Sequence, residues 1–333
     1  MTPIVYNEIK IKVRLIGFSS YTASLVETHK TAEVTHIARL IGGNMFTLSC
    51  ESTTDITLDY LTKRNIPALA YTYTVDGVEY SDDMRAGNGL VIFYSQLIAG
   101  KQPSTSLINV ERYTEFFRAI LEKGDLLHIC FSSGLSQSAA NAMKAGELLK
   151  AEFPQRKIYV VDSLCACVGY GLFVDCIADL RDEGKDIDFL YNWAQENRLR
   201  VQHQFFSTTL TYFKRSGRIS GPAAIFGNLL KLCPIMHLNG NGKIIAYAKV
   251  MSETKAIAKT LEEIAKKIDN GSEYDGKLWI GHSDYIYSAN KIVEELKKAY
   301  PKANIRIFDI GPVIASHCGP GTLSIYFWGS HRA

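Results

Sequence analysis

Hydroxyl side chains follow a short apolar segment in the middle of the chain. Residues 126–131 are mostly apolar, which is typical of a buried strand, and Ser132, Ser133 and Gly134 follow them directly. The next residues, up to 149, are rich in alanine and favour a helix. Backbone N–H groups at a helix start are unpaired and carry partial positive charge, so this junction could bind a carboxylate or a phosphate. Alternatively, Ser132 or Ser133 only caps the helix.

Two further segments carry side chains that could contact the same ligand. Ser104, Thr105 and Ser106 follow a proline and precede a helical pattern, so they either cap that helix or bind a polar group. His317 lies among glycines and prolines, which predicts a loop that can aim the imidazole. His282 follows another predicted strand and is a second candidate, although a single histidine is more often structural.

Strands and helices alternate along the first half of the chain. The patterns predict strands at 46–50, 68–75, 126–131 and 157–161, a turn at Asp76-Gly77, and helices at 56–64, 91–99, 110–123 and after 134. This order favours a parallel sheet with helices on its faces. Ligands bind beyond the carboxyl ends of the strands in such sheets. We expect Ser52, Ser133, Asp162 and Ser163 to lie at those ends.

The second half of the chain has a different pattern. It predicts helices at 164–181, 187–198, 222–230, 254–268 and 288–300, and strands at 205–211, 234–238, 243–250, 278–281, 305–310 and 323–328. Asn239-Gly-Asn-Gly242 between two of these strands is typical of a hairpin, so antiparallel pairing is expected. We predict an α/β protein in three parts: an N-terminal extension over residues 1–44, a parallel-sheet domain over 45–162, and an α+β domain with an antiparallel or mixed sheet over 163–333.

The composition excludes several classes of protein. With 47% hydrophobic and 21% charged residues, the chain has the composition of a globular protein. The net charge of +3 and the lack of a basic tract give no reason to expect nucleic-acid binding. No apolar run approaches the roughly 18 residues of a membrane span, and no signal peptide is evident, so we expect a cytoplasmic location without stable membrane insertion. The seven cysteines have no metal-site spacing, and no metal or other cofactor is expected.

Several motifs in a fixed order carry a resemblance to a known family. They are Glu51-Ser-Thr-Thr-Asp55, Gln102-Pro-Ser-Thr-Ser106, Ser132-Ser-Gly134, Val161-Asp-Ser163, Lys214-Arg-Ser-Gly-Arg-Ile219 and the run from Gly311 to Gly321. Over residues 45 to 330 the set resembles the DegV family of bacterial fatty-acid-binding proteins, the FakB-type subunits. The resemblance implies a two-domain DegV-like fold, the EDD fold, with a ligand cleft between the domains.

The resemblance also implies a ligand and the residues that hold it. In DegV-like proteins the Thr-Ser segment and the second serine of Ser-Ser-Gly hydrogen-bond the carboxylate of a fatty acid, and a histidine completes the head-group site. This implies ligand contacts for Thr105, Ser133 and His317, and less directly for Ser104, Ser106 and Gly134. The expected ligand is a long-chain fatty acid such as palmitate, stearate or oleate.

A partner is implied as well, with one departure from the family pattern. FakB-type proteins present the bound fatty acid to a fatty-acid kinase for acyl-phosphate formation, and Arg218 would take part in that docking. A second family arginine is expected after the hairpin, in a Lys-Val-Arg-Thr context, but this chain has Lys249-Val-Met-Ser252. Methionine cannot replace a guanidinium in binding a carboxylate or phosphate, so this departure weakens the expectation of a kinase contact.

Two other functions are open at this point. A serine hydrolase or acyltransferase could use Ser133 as the nucleophile and His317 as the base, but no acidic partner for His317 and no Gly-x-Ser-x-Gly elbow are evident. A protein that binds a phosphosugar or nucleotide would need a phosphate loop with basic side chains, and only the helix start after Ser133 suggests one. The leading hypothesis is therefore a carrier of fatty acids rather than an enzyme.

Overall fold

Four parallel strands form the first sheet, in the order β2-β1-β6-β7. The structure is a computed structural model and describes residues 46–220 and 232–333. The strands are β1 (Phe46–Glu51), β2 (Ala68–Leu69), β6 (Asp125–Cys130) and β7 (Ile158–Asp162). This is the parallel sheet that the alternating pattern predicts. The predicted N-terminal extension over 1–44 and the predicted helix at 222–230 lie outside the described residues.

Helices connect and cover these strands. They are α1 (Leu58–Lys63), α2 (Gly89–Ile98), α3 (Val110–Leu121), α4 (Ser138–Glu152), α5 (Cys167–Asp182) and α6 (Ile187–Asn197). Helix α5 is buried along nearly its whole length, including Tyr170 and Phe173, because it packs between the first sheet and a larger second sheet. Tyr170 donates a hydrogen bond to the carbonyl oxygen of Ile129 in β6, which fixes the helix on the sheet.

A small antiparallel sheet lies between these helices in sequence. It has the order β4-β3-β5, with β3 (Thr72–Val75), β4 (Val78–Ser81) and β5 (Pro103–Ser106). The predicted Asp76-Gly77 turn joins β3 to β4 and both residues have positive φ, as a tight hairpin turn requires. The single strand predicted at 68–75 is wrong, because residues 70 and 71 separate β2 of one sheet from β3 of another.

Seven strands form a mixed second sheet in the order β13-β12-β14-β8-β10-β11-β9. They are β8 (Val201–Ser207), β9 (Ile219–Ser220), β10 (Cys233–Leu238), β11 (Ile244–Val250), β12 (Lys277–Ser283), β13 (Asn304–Asp309) and β14 (Thr322–Trp328). The predicted hairpin is confirmed, because β10 and β11 pair antiparallel across Asn239–Gly242. The strand predicted at 205–211 is shifted, since β8 ends at Ser207 and a helix follows.

Four helices accompany this sheet in the described residues after 200. They are α7 (Thr211–Ser216), α8 (Glu253–Lys267), α9 (Ile286–Ala299) and α10 (Pro312–Cys318). Helices α8 and α9 bury one apolar face each against the sheet, where Ile264, Ile292 and Leu296 join its core. The predicted α/β fold class, with a parallel sheet followed by an antiparallel or mixed one, is confirmed. The division into domains at residue 162 stays a prediction.

No described helix combines the length and the apolar character that a bilayer span requires.

Candidate functional site

A cavity of about 550 Å³ lies where the three sheets meet. Its volume is within the range of sites that bind small molecules, about 300–1,000 Å³. The walls are mostly apolar and come from several elements: Phe131, Phe205, Phe213, Leu238, Ile244 and Val313. Exposed residues also line it, among them Ser106, Ser133 and Arg218, so the cavity opens to solvent on that side.

Thr105 and His317 meet at this cavity although 212 residues separate them in the chain. The Thr105 hydroxyl lies 2.8 Å from Nε2 of His317. The Thr105 side chain in strand β5 lines the cavity, whereas Ser104 is exposed and is not among the lining residues. The ligand contact predicted for Ser104 stays a prediction. These residues form a strand and do not cap the helix, which starts at Val110 after an Asn109 cap.

His317 lies in a short helix, so the predicted loop is wrong. Helix α10 begins at Pro312, a favoured first residue, and ends before Gly319, whose positive φ lets the chain leave the helix. The glycines and prolines that suggested a loop are the ends of this helix. His317 stands in its last turn, and Val313 and Ile314 of the same helix also line the cavity.

The imidazole of His317 is neutral at physiological pH. Burial, together with the smaller effect of the positive charges of Arg218 and Arg215, lowers its pKa to about 4. Its Nδ1 atom is buried and has no hydrogen-bond partner among the described residues. A neutral imidazole carries one N–H group, which can donate a hydrogen bond to an anionic ligand without prior protonation of the ring.

Ser133 lies on a loop that the β10–β11 hairpin covers. The Ser132 hydroxyl donates to the Gly242 carbonyl oxygen at 2.9 Å, and the Ser133 N–H donates to Asp162 at 3.1 Å. A Cβ on Gly134 would lie 2.4 Å from the carbonyl oxygen of Asn241, so only glycine fits there. Ser133 and Gly134 both line the cavity.

The helix start predicted after Ser133 is displaced. Helix α4 begins at Ser138, five residues after Ser133, because a turn occupies residues 133–135 and the Ser136 hydroxyl accepts from the Ser138 N–H. The unpaired N–H groups of the first turn of α4 therefore lie beyond Ser133, and the anion site predicted at a helix start is wrong for Ser133 itself. Ser133 is exposed and lines the cavity at its mouth.

The remaining predicted residues divide into those at the cavity and those away from it. Ser106 and Arg218 line it; Arg218 is exposed and donates to the Ser216 carbonyl oxygen. His282 is not among the lining residues, lies buried beside Asp309, and accepts a hydrogen bond from the Tyr285 N–H. The structure thus brings together Thr105, Ser106, Ser133, Gly134, Arg218 and His317, and leaves Ser104 and His282 outside.

Two residues with buried hydroxyl groups line the cavity although the sequence did not predict them as site residues. Thr53 and Tyr71 line it, and neither hydroxyl oxygen has a hydrogen-bond partner among the described residues. The signal for Thr53 was its place after β1 in the Ser-Thr-Thr-Asp segment, where a strand of a parallel sheet ends. No sequence pattern indicated Tyr71, because it reaches the cavity only where the chain leaves β2 and enters β3 of another sheet.

Among the described residues, one cluster of three buried side chains has possible ligand atoms close enough together to bind a metal ion. Glu51, His128 and Cys130 lie close together in the core below the cavity. The Glu51 carboxylate already accepts hydrogen bonds from the Tyr113 hydroxyl and the Phe131 N–H, and His128 bonds to Ser49 through Nδ1. These contacts satisfy the carboxylate within the protein, so we assign the cluster a structural role.

The lowered pKa of His317 predicts a pH dependence of stability. Between about pH 4 and 6.5 the unfolded chain binds a proton at this histidine and the folded protein does not, so stability rises as pH rises through that window. The free energy of unfolding should therefore rise between pH 4 and pH 7 by about 1–3 kcal/mol less in the His317→Gln variant than in wild type. Urea unfolding of both proteins at both pH values measures this. Equal gains would show that His317 is not held in its neutral form.

Fold and cavity together define an α/β protein that has a parallel and a mixed sheet and an internal, largely apolar cavity with a polar mouth. The chain belongs to the DegV family: the model described as "Uncharacterised protein, DegV family" matches residues 46–329.

Relatives and solved structures agree with this assignment. A DegV domain-containing protein of Clostridium perfringens is 34% identical over 288 residues, which cover 86% of this chain and 98% of the relative. A solved DegV family protein from Thermus thermophilus, described for its fatty acid binding, has 26% identity and a TM-score of 0.76, covering 86% of this chain and 100% of its own. The Fatty Acid Kinase (Fak) B3 protein of Streptococcus pneumoniae, loaded with linoleic acid, has 17% identity and a TM-score of 0.73 over 86% of this chain and all of its own. At that identity the likeness shows the fold alone.

Proposed function

We propose that this protein binds one long-chain fatty acid, with the tail in the cavity and the carboxylate at Thr105, Ser133 and His317. The observation that carries the proposal is the 2.8 Å contact between Thr105 and His317 at the polar side of a largely apolar cavity. A site with donors on one side and hydrocarbon walls on the other suits an amphiphile with a small anionic head.

The head group needs donors because a carboxylate that leaves water unpaired would take up a proton instead. The hydroxyls of Thr105 and Ser133 and one N–H of His317 can each donate to it. Ser133 is exposed in the free protein, whereas His317 is mostly buried, so the carboxylate would lie between the mouth and the interior. Arg218 at the same mouth adds positive charge near the anion.

The tail supplies most of the affinity in this proposal. Each buried methylene contributes about 0.8 kcal/mol, and a sixteen-carbon chain on the order of 10 kcal/mol before the cost of ordering the ligand and the protein is subtracted. The walls that would receive it, such as Phe205, Phe213 and Leu238, are buried apolar side chains without competing polar atoms. The fatty-acid binding described for the Thermus relative supports the same assignment.

Presentation of the bound fatty acid to a kinase is the second part of the proposal. It is supported by the neighbour from Streptococcus pneumoniae, whose name is that of a fatty-acid kinase component. Arg218 is exposed beside the mouth, where a kinase would have to reach the carboxylate. Met251, which stands where the family has its second arginine, is 74% exposed, so the position is on the surface but offers no charge.

Hydrolysis by Ser133 and His317 is not favoured by this geometry. A serine hydrolase holds its histidine through a carboxylate on Nδ1, and Nδ1 of His317 has no such partner among the described residues. Its Nε2 atom contacts Thr105 instead of a serine nucleophile. We therefore propose a carrier rather than an enzyme; covalent labelling by a fluorophosphonate that disappears in Ser133→Ala would reverse this choice.

Lipid extraction of the purified protein tests the proposal. Mass spectrometry should find a long-chain fatty acid in about equimolar amount, and the delipidated protein should bind added palmitate or oleate. A protein that carries no acyl chain and binds neither fatty acid does not have the proposed function.

A further inference from the structure

Asp55 lies at a buried contact between the first part of the chain and the helix that carries His317. Its carboxylate is fully buried at the end of the 3-10 turn after β1. The Oδ1 atom accepts a hydrogen bond of 2.9 Å from the N–H of Gly311, the residue that precedes helix α10. Asp55 and Gly311 are 256 residues apart, so this bond ties two distant segments together.

The peptide group that joins Ile310 to Gly311 is also bonded through its carbonyl oxygen. The Tyr94 hydroxyl of helix α2 donates to the Ile310 carbonyl oxygen at 2.9 Å. Both polar atoms of the peptide between Ile310 and Gly311 are thus bonded to side chains from residues 46–100. Because α10 starts at the next residue, this clamp fixes where the helix begins relative to strand β5 and Thr105.

Glycine is needed at position 311 for this clamp. A Cβ there would lie 2.7 Å from Asp55 Oδ1 and 3.0 Å from an Arg85 nitrogen. The φ of Gly311 is −71°, which any residue can adopt, so the requirement is one of space rather than of backbone conformation. The close approach of the carboxylate to the backbone is therefore built into the fold.

Three of the nine described non-glycine residues with positive φ lie at this carboxylate. Asp55, Arg85 and Cys167 all have positive φ, at 52°, 63° and 54°. Each such residue other than glycine costs on the order of 1 kcal/mol, and such costs persist only where surrounding contacts over-determine them. Arg85 donates to the Asp55 carbonyl oxygen and its charge lies 3.9 Å from the carboxylate, so one of these residues contacts Asp55 directly.

We propose that Asp55 is a positioning residue of the ligand site, which acts through Gly311 and helix α10 to hold His317 against Thr105. It does not line the cavity and would not touch the ligand. The effect on affinity rests on the proposed fatty-acid function, whereas the effect on the contact between His317 and Thr105 does not.

The protonation of Asp55 gives the clamp a pH dependence. Burial raises the pKa of this carboxyl to about 7, although Arg85 lowers it. An ionised carboxylate is the stronger acceptor for the Gly311 N–H, so the clamp is stronger above pH 7 than below it. The titratable and charged groups that face Asp55 are Arg85, Asp82, Cys167, Tyr94, Cys318 and Tyr326. Burial raises the pKa of the thiols and phenols among them further above neutrality. Asp82 is therefore the other group whose titration the experiment has to control for.

Fatty-acid affinity of variants tests the positioning role. Asp55→Ala should weaken palmitate binding about tenfold, because a charge-assisted bond to the peptide is lost. Asp55→Asn keeps an acceptor and should bind within about threefold of wild type near pH 6. Wild-type affinity should rise between pH 6 and 8, and Asp55→Asn should lack that rise. Asp82→Asn is the matched control, since Asp82 is buried in the same cluster but bonds to the Met84 N–H.

A ligand-free measurement separates this inference from the proposed function. In protein labelled with ¹⁵N-histidine, the His317 resonances are those that vanish in His317→Gln. They should shift in Asp55→Ala and in Gly311→Ala, whose Cβ displaces the carboxylate, and stay in place in Asp82→Asn. Unshifted resonances in the first two variants, or the same shift in the control, would overturn the positioning role. If wild type binds no fatty acid, the proposed function fails while these spectra still decide the role of Asp55.

Discussion

Loss of any one head-group side chain should weaken fatty-acid binding about 10- to 100-fold while the protein stays folded. The three variants are Thr105→Val, Ser133→Ala and His317→Ala. Each removes one donor to the carboxylate, and hydrogen bonds to a charged group contribute about 1.5–3 kcal/mol. Displacement of a fluorescent fatty acid measures the affinity, and circular dichroism with urea unfolding shows whether the fold survives.

Ser104→Ala is the matched control for this series. Ser104 lies next to Thr105 in β5 but is exposed and does not line the cavity. Its removal should leave affinity unchanged, which would show that the losses in the other variants come from side chains that line the cavity. Wild-type affinity in all three test variants would refute the head-group assignment.

Affinity should also rise steeply with the length of the acyl chain. This rise should be larger than the loss of affinity caused by removing one head-group side chain. Each methylene that enters the cavity contributes about 0.8 kcal/mol, or roughly fourfold in affinity. From decanoate to palmitate the gain should be on the order of 100- to 1,000-fold, since part of the transfer free energy is lost in ordering the chain. Calorimetric titration of delipidated protein with decanoate, laurate, myristate and palmitate measures it.

A substitution that narrows the cavity should remove this dependence. Ile314 lies on α10 and lines the cavity, so Ile314→Trp fills space that the tail would occupy. We expect the variant to lose more affinity for palmitate than for decanoate. Ile286→Trp, on an exposed position of α9, adds the same side chain outside the cavity and should keep the wild-type series. Affinity independent of chain length in wild type would mean that the cavity does not hold the tail.

The sheets were predictable because their signals are local. Apolar runs with helices between them predict parallel pairing, and β1, β6 and β7 show it. The Asn239–Gly242 turn predicts the β10–β11 hairpin in the same way. The split between β2 and β3 was not predictable, because one apolar run supplies strands to two different sheets and only tertiary packing decides between them.

The site was predictable in part. Family motifs, rather than any spacing, placed Thr105, Ser133 and His317 together. Glycine and proline around His317 were read as a loop, whereas they form the two ends of a helix, and the same residue types serve both purposes. The bond between Asp55 and Gly311 was out of reach, because no sequence pattern indicates a contact across 256 residues.

A crystal structure of the protein with palmitate tests the central claim most directly. We expect elongated density inside the cavity, with a carboxylate oxygen about 2.7–3.0 Å from the Thr105 hydroxyl, the Ser133 hydroxyl and a His317 nitrogen. A carboxylate bound elsewhere, or a cavity that holds no acyl chain at saturating palmitate, would contradict it.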